Sequence, residues 1–206
     1  MIPKKIVAIG ASSCEGKVDI AGGGFVGRLR EWHETASEHN SVYNLGISGD
    51  TTEKILKRFP VEVPPRSPDL IIVQCGLNDF IHLNSKNAPL QFTLDQIHKN
   101  FSLILKEAKK IADVLCVSVF PIDETKTCPC SWRDICYLEK DAMQCSEISK
   151  QFALEMDIPY IDVYGVFLQD GHKKYLHTDG LHSNSLGHEK IFEMIKSKIL
   201  STYSLQ

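Results

Sequence analysis

No stretch of this sequence stays apolar for the about 18 residues that a membrane-spanning helix requires. That absence excludes a membrane-spanning protein of the helical type. Charge of one sign is also missing. The formal net charge is −3, with no block of like residues, so the basic footprint of a nucleic-acid binder is absent. There is no internal repeat, which excludes a solenoid or propeller array, and no low-complexity segment. Gly22-Gly23-Gly24 has no Lys-Ser or Lys-Thr after it, so phosphate-cradle chemistry is unsupported, and the three glycines are expected to form a flexible loop near the site. The apolar stretch Ile6 to Ile9, which follows Met1 to Lys5, is too short for a signal-peptide core. It also lacks a cleavage site before the first strand, and a cytoplasmic location is expected.

What is present suits one compact domain, 1–206. A chain of 206 residues can bury roughly 70% of the surface its unfolded form exposes, enough for a core without disulfides. The seven cysteines divide into two groups. Cys14, Cys75 and Cys116 sit in or beside apolar segments and read as small buried hydrophobes. Cys128, Cys130, Cys136 and Cys145 crowd into one stretch. Their spacing does not match the paired C-x2–4-C of zinc sites, and no histidine lies among them, so no metal is expected. A disulfide within the group is expected ahead of a metal.

Strand-like and helix-like segments alternate from end to end. Lys5 to Gly10, Ser41 to Leu45, Leu70 to Cys75, Val114 to Val119 and Pro159 to Asp162 read as strands, the third a continuous apolar run typical of a sheet covered on both faces. Helical spacing marks Phe25 to His39, Thr51 to Phe59, Thr93 to Ala112, residues 134–155 and Asn184 to Ile199. Pro60 is expected to stop the second of these, with Pro64 and Pro65 beyond it. Pro121 to Arg133 is the least regular region. Alternation of this kind implies parallel pairing through right-handed crossovers. The expected fold is a three-layer α/β/α sandwich around a five-stranded parallel sheet, flavodoxin-like, with ligands at the carboxyl ends of the strands.

The residues just past those strand ends carry chemistry. The first strand leads into Gly10-Ala11-Ser12-Ser13, the second into Ser48-Gly49-Asp50, and the third into Gly76-Leu77-Asn78-Asp79. The loop before the last helix holds Asp179-Gly180-Leu181-His182. Gathered on one rim, they supply the parts needed for acyl transfer. A serine hydroxyl is a weak nucleophile until a base takes its proton, and His182 is the candidate base for Ser12. Asp179, three residues earlier, can hold one ring nitrogen while the other faces Ser12. A tetrahedral oxyanion needs preorganised donors, and the N–H of Ser12, the N–H of Gly49 and the amide of Asn78 are candidates. Ser13 is a rival hydroxyl, although the spacing from Gly10 favours Ser12.

These four blocks, in this order, resemble the SGNH or GDSL family of esterases and lipases, and the resemblance spans nearly the whole chain. It implies a serine hydrolase with Ser12, Asp179 and His182 as its triad and Ser12, Gly49 and Asn78 as its oxyanion donors. It implies hydrolysis of a carboxylic ester or thioester through an acyl-enzyme, with a small-molecule substrate and no cofactor. Ala11 departs from the family aspartate, a supporting group. An α/β-hydrolase elbow would read G-x-S-x-G, and here position 14 is cysteine.

Alone, each residue has a plainer role. Ser12 could cap a helix, and Gly49 and Asn78 could form turns. Asp50 and Asp79 are expected to brace loops. Asp162 could serve as the acid, but a hydrogen-bonded structural role is expected. His188 is expected to pack or support the site, while His82, His172 and His177 are expected to be solvated. Phe80, Ile81 and Leu83, together with Phe120 and Trp132, are expected to offer an apolar wall that favours an acyl chain. Deacylation of a carbohydrate or a lysophospholipid uses the same chemistry. A non-catalytic doubly wound binding module is the alternative of a different class.

Overall fold

The computed structural model describes residues 2–203; Met1 and residues 204–206 lie outside the described residues. In chain order the elements are β1 (Lys5–Gly10), α1 (Ser12–Glu15), α2 (Gly24–Ala36), β2 (Ser41–Gly46), α3 (Thr52–Glu62), β3 (Leu70–Gln74), β4 (His82–Leu83), α4 (Leu94–Lys109), β5 (Asp113–Val117), α5 (Glu124–Thr127), β6 (Ile135–Cys136), α6 (Glu139–Glu155), β7 (Tyr160–Ile161), α7 (Val163–Gln169) and α8 (Ser185–Tyr203). Short 3-10 turns occupy Pro64–Arg66, Leu77–Asp79 and His172–Tyr175.

Five strands pair in parallel in the order β2-β1-β3-β5-β7. Side chains alternate across such a sheet, and β1 shows the consequence. Ile6 and Ala8 pack with Phe25 and Leu29 of α2 and Ile191 and Ile195 of α8. Val7 and Ile9 pack on the opposite face with Ile55 and Phe59 of α3 and Phe101 and Leu105 of α4. β3 is buried along its whole length, as its unbroken apolar run predicts. Each fully buried Ile or Phe in these layers contributes about 1.5–3 kcal/mol. The chain moves outward from β1 to β2, then returns across β1 to β3. The switch point therefore lies between the carboxyl ends of β1 and β3, where such sheets bind ligands.

Several boundaries differ from the sequence expectation. Pro60 does not stop α3, which continues to Glu62. Proline costs a helix most in its middle turns, and here it falls in the last one. The N–H of Val63 still reaches the Phe59 carbonyl at 3.0 Å. The helix expected from residue 134 begins only at Glu139, because Ile135 and Cys136 pair antiparallel with His82 and Leu83 instead. Thr93 is the cap of α4 and forms a reciprocal capping box with Gln96. The three glycines are not a loose loop: Gly23 and Gly24 start α2, and a Cβ on Gly24 would come within 2.5 Å of Gly16 Cα.

Among the clustered cysteines, Cys128 and Cys136 form a disulfide, while Cys130 and Cys145 are free and buried. Structural disulfides persist mainly in oxidising compartments, which bears on the expected cytoplasmic location. Cys14, Cys75 and Cys116 are buried thiols, as expected. Burial pushes Cys14 and Cys116 up to about 12, which leaves them inert at neutral pH. Among the described residues no group of His, Cys, Asp and Glu is arranged to hold a metal ion, and no helix is long and apolar enough to cross a membrane.

Candidate active site

Ser12 is the first residue of α1, directly after the carboxyl end of β1. Asn78 sits in the 3-10 turn that follows β3. That turn requires Gly76 at φ +114°, a conformation that side chains other than glycine's rarely adopt. His182 and Asp179 come from the loop between the Tyr175 turn and α8. One cavity of about 50 Å³ is lined by Ser12, Asn78 and His182, with Leu77, Phe120 and Leu181 among its apolar neighbours. It lies at the switch point that the sheet order defines.

Behind this cavity stands the carboxylate. Asp179 Oδ2 lies 2.8 Å from His182 Nδ1, so Nε2 is the nitrogen left to act on a ligand. The other carboxylate oxygen accepts the N–H groups of Leu181 and His182, each at 2.9 Å. Burial works against the charged form of Asp179. The hydrogen bonds from the His182 ring, the His182 N–H and the Leu181 N–H outweigh it, and hold the carboxyl well below the usual carboxylate range. Among the described residues no hydrogen bond joins Ser12 Oγ to His182 Nε2; both residues line the shared cavity, and such contacts often tighten only when substrate binds.

His177 is not simply solvated. It is half-buried, and its Nδ1 lies 3.2 Å from Asp179 Oδ2. It does not line the cavity, whereas His182 does. Ser13 also reaches the cavity wall, but its hydroxyl is buried without a partner. Gly49 lies in the turn from Ile47 to Asp50, exposed at Ile47 to Gly49, and among the described residues nothing comes within 4 Å of where its Cβ would be. It does not contribute to the cavity wall. Asp162 spends its carboxylate on capping α7, through the Gly165 N–H at 2.8 Å.

The loops are braced by groups whose partners are distant in sequence. Asp79 is fully buried and accepts from the Thr52 N–H at 2.9 Å and the Thr52 hydroxyl at 2.6 Å. Asn78 Nδ2 donates to the Asp50 carbonyl at 2.9 Å. Arg58, on α3, reaches Asp50 Oδ2 at 2.7 Å, the Gly10 carbonyl at 3.0 Å and the Leu45 carbonyl at 2.6 Å. One guanidinium thus ties together the ends of β1 and β2 and the Asp50 loop. The expected bracing role of Asp50 and Asp79 holds; Arg58 gave no signal beyond being a charge on an amphipathic helix.

Other expectations need correction. His82 is buried, with Nε2 2.8 Å from Asp141 Oδ2 and Nδ1 2.6 Å from the Ala88 carbonyl. His172 is half-buried in its 3-10 turn. Phe80 does not wall the site: the turn after β3 rotates it into the core against Ile97 and Ile148. Ile81 is buried beneath the loops and Leu83 is exposed on the ribbon. Phe120 does line the cavity, and Trp132 packs beside His182 with ring centroids 6.3 Å apart.

Two buried groups set opposing pH dependences. His188 accepts the Phe25 N–H at 3.2 Å. Burial brings its pKa down to about 4, with Asp19 opposing and Arg28 and His182 reinforcing the shift. A histidine held neutral loses its stabilising contribution as pH falls from the ordinary histidine range through about 4. Burial raises Asp79 to about 6, against the hydrogen bonds from Thr52. Its contribution is fully present at low pH and is lost as pH rises through about 6. Each shift corresponds to about 3 kcal/mol. Asp79→Asn should therefore steepen the rise of Tm between pH 4 and 6.5, whatever it does to absolute stability. Thermal melts across that range check this, and an unchanged or flatter curve would refute it.

The chain matches the GDSL-like lipase/acylhydrolase family over residues 8–190. No curated protein sequence matches it. Among solved structures it is similar to a lipase/acylhydrolase from Enterococcus faecalis, at 24% identity and a TM-score of 0.80, with 97% of this chain and 96% of that one covered. It is similar to the acetylxylan esterase Axe2 from Geobacillus stearothermophilus, at 20% identity and a TM-score of 0.74, with 95% and 94% covered. A third likeness is to LAE5, an alpha/beta hydrolase enzyme from the metagenome of Lake Arreo, Spain, at 20% identity and a TM-score of 0.72, with 95% and 94% covered. At these identities the structures speak for the fold, and the expected parallel α/β architecture is the one they share. The sequence match, which runs from the first strand into the last helix, makes the chain a member of the GDSL-like lipase/acylhydrolase family and a carboxylic ester hydrolase.

Proposed function

We propose that this enzyme hydrolyses esters or thioesters of short acyl groups through an acyl-enzyme on Ser12. The observation that carries the reading is that His182, anchored by Asp179, opens onto the same cavity as Ser12 and Asn78. In the first half-reaction Ser12 Oγ attacks the carbonyl carbon and its proton passes to His182 Nε2. Asp179 keeps Nδ1 protonated and stabilises the imidazolium. Negative charge then develops on the carbonyl oxygen. The second N–H of the Asn78 amide, not engaged by Asp50, is available to meet it, as is the Ser12 N–H. The Gly49 N–H is the third donor of this reading, and reaches the oxygen if the exposed turn closes over bound substrate. When the intermediate collapses, His182 returns the proton to the leaving alcohol or thiol. A water molecule repeats the sequence in reverse and frees the acid.

Short acyl groups are favoured by size. A cavity of about 50 Å³ offers room for only a few water-sized groups, and Phe120, Leu77 and Leu181 close it. The likeness to an acetylxylan esterase agrees with this. The leaving group faces the open side, where Trp132 stands beside His182. A series of p-nitrophenyl esters tests the reading. kcat/KM should be highest between acetate and butyrate and fall by roughly tenfold or more by octanoate. Rates that climb with chain length would overturn the size argument, and no turnover of any ester would overturn the function.

A further inference from the structure

Tyr137 is buried, and its side chain has no role in the catalytic sequence described above. Its hydroxyl lies 2.9 Å from Asn78 Oδ1, across 59 residues of sequence. The hydrogen-bond network allows one assignment. The Asp50 carbonyl can only accept, so Asn78 must turn its Nδ2 toward it, at 2.9 Å. Oδ1 then faces the tyrosine, whose O–H must donate. Burial pushes the phenol up, so it remains a neutral donor at any working pH. The amide is thus held at both ends, and the N–H that is left over has a fixed direction.

The backbone of Tyr137 is itself strapped down. Its N–H donates to the Thr127 carbonyl at 3.0 Å, and the Thr127 hydroxyl donates back to the Tyr137 carbonyl at 2.8 Å. The next residues inward, Cys128 and Cys136, are joined by the disulfide. Ile135 and Cys136 also pair with Leu83 and His82 in the antiparallel ribbon. The ring packs with Ile81, Ile122 and Leu181. A preorganised donor owes its effect to not having to reorient during the reaction, and this closed loop supplies the rigidity.

We propose that Tyr137 is a positioning residue for the oxyanion site, fixing the Asn78 amide so that its free N–H points into the cavity. This rests on Asn78 serving as an oxyanion donor. A double-mutant cycle on p-nitrophenyl acetate hydrolysis tests it with the full chain. Asn78→Ala should lower kcat by roughly 10²–10³. Tyr137→Phe, which removes only the hydroxyl, should lower kcat by about tenfold, less than loss of the donor itself, with KM within about twofold. In the Asn78→Ala background the same change should have almost no further effect, because contacting groups that act through one another are not additive. Tyr137→Leu, assayed well below its Tm, should reproduce the kcat loss. An undiminished kcat in Tyr137→Phe, or a loss that persists in full when Asn78 is already alanine, would overturn the positioning role while leaving the oxyanion reading intact. Wild-type kcat in Asn78→Ala would overturn both.

Discussion

Ser12→Ala should lower kcat toward p-nitrophenyl acetate by roughly 10⁴–10⁶ and leave the melting temperature nearly unchanged. In the proposed mechanism the hydroxyl forms the covalent bond, and another group could replace it only with a new proton path. Its loss should cost the fold little. Ser12 opens α1 without a side-chain capping bond, so among the described residues its hydroxyl does not hold the helix start. Residual hydrolysis would come from the oxyanion donors and binding alone. Burst kinetics check the same point from another side: the wild type should release one equivalent of p-nitrophenol rapidly if deacylation is slower, and Ser12→Ala should show no burst. Undiminished turnover in the alanine variant would remove Ser12 from the mechanism, and attention would pass to Ser13 on the same wall.

Asp179→Asn should be the second-largest effect, a fall in kcat of roughly 10⁴. The carboxylate makes one bond to the His182 ring and two to the backbone of its own loop. Asparagine can keep the loop bonds through its carbonyl oxygen. Its NH2 group, however, would face Nδ1 as a donor and favour the tautomer with the proton on Nε2. That nitrogen could then no longer accept a proton from Ser12. The structure adds a second reason for a large effect. The imidazolium that forms on His182 during the reaction would also lose the negative charge that stabilises it. Steady-state kinetics should show the loss in kcat with little change in KM. A loss confined to KM would mean that Asp179 shapes binding rather than the base.

Much of the candidate site was legible because its residues sit where an α/β fold puts its ligand-binding ends. The apolar runs of β1 and β3 announce buried parallel strands, and the residues just past them are Ser12 and Asn78. Asp179 and His182 are three apart on a loop, close enough to read as a pair. What sequence alone did not reveal depends on partners far along the chain. Tyr137 meets Asn78 across 59 residues, and its apolar neighbours Ile135 and Leu138 read as the start of a helix. His82 meets Asp141 across the same separation, so the partner that lets this histidine be buried was not visible in its own segment. Nothing in the helical spacing of α3 sets Arg58 apart, yet it joins the Gly10 and Leu45 carbonyls and the Asp50 carboxylate. The pairing of Cys128 with Cys136 was one of several possibilities until the hydrogen bonds between Thr127 and Tyr137 brought the two cysteines together.

The most direct measurement is covalent. A fluorophosphonate probe should react once per chain, and peptide mapping by mass spectrometry should place the phosphonyl group on Ser12. Ser12→Ala should stay unlabelled, and His182→Ala should label far more slowly, because without the imidazole the hydroxyl has no base. An adduct on another residue of the folded, active enzyme, Ser13 above all, would contradict the assignment of the nucleophile. Rapid labelling of Ser12 without His182 would contradict the pairing on which the whole account of catalysis depends.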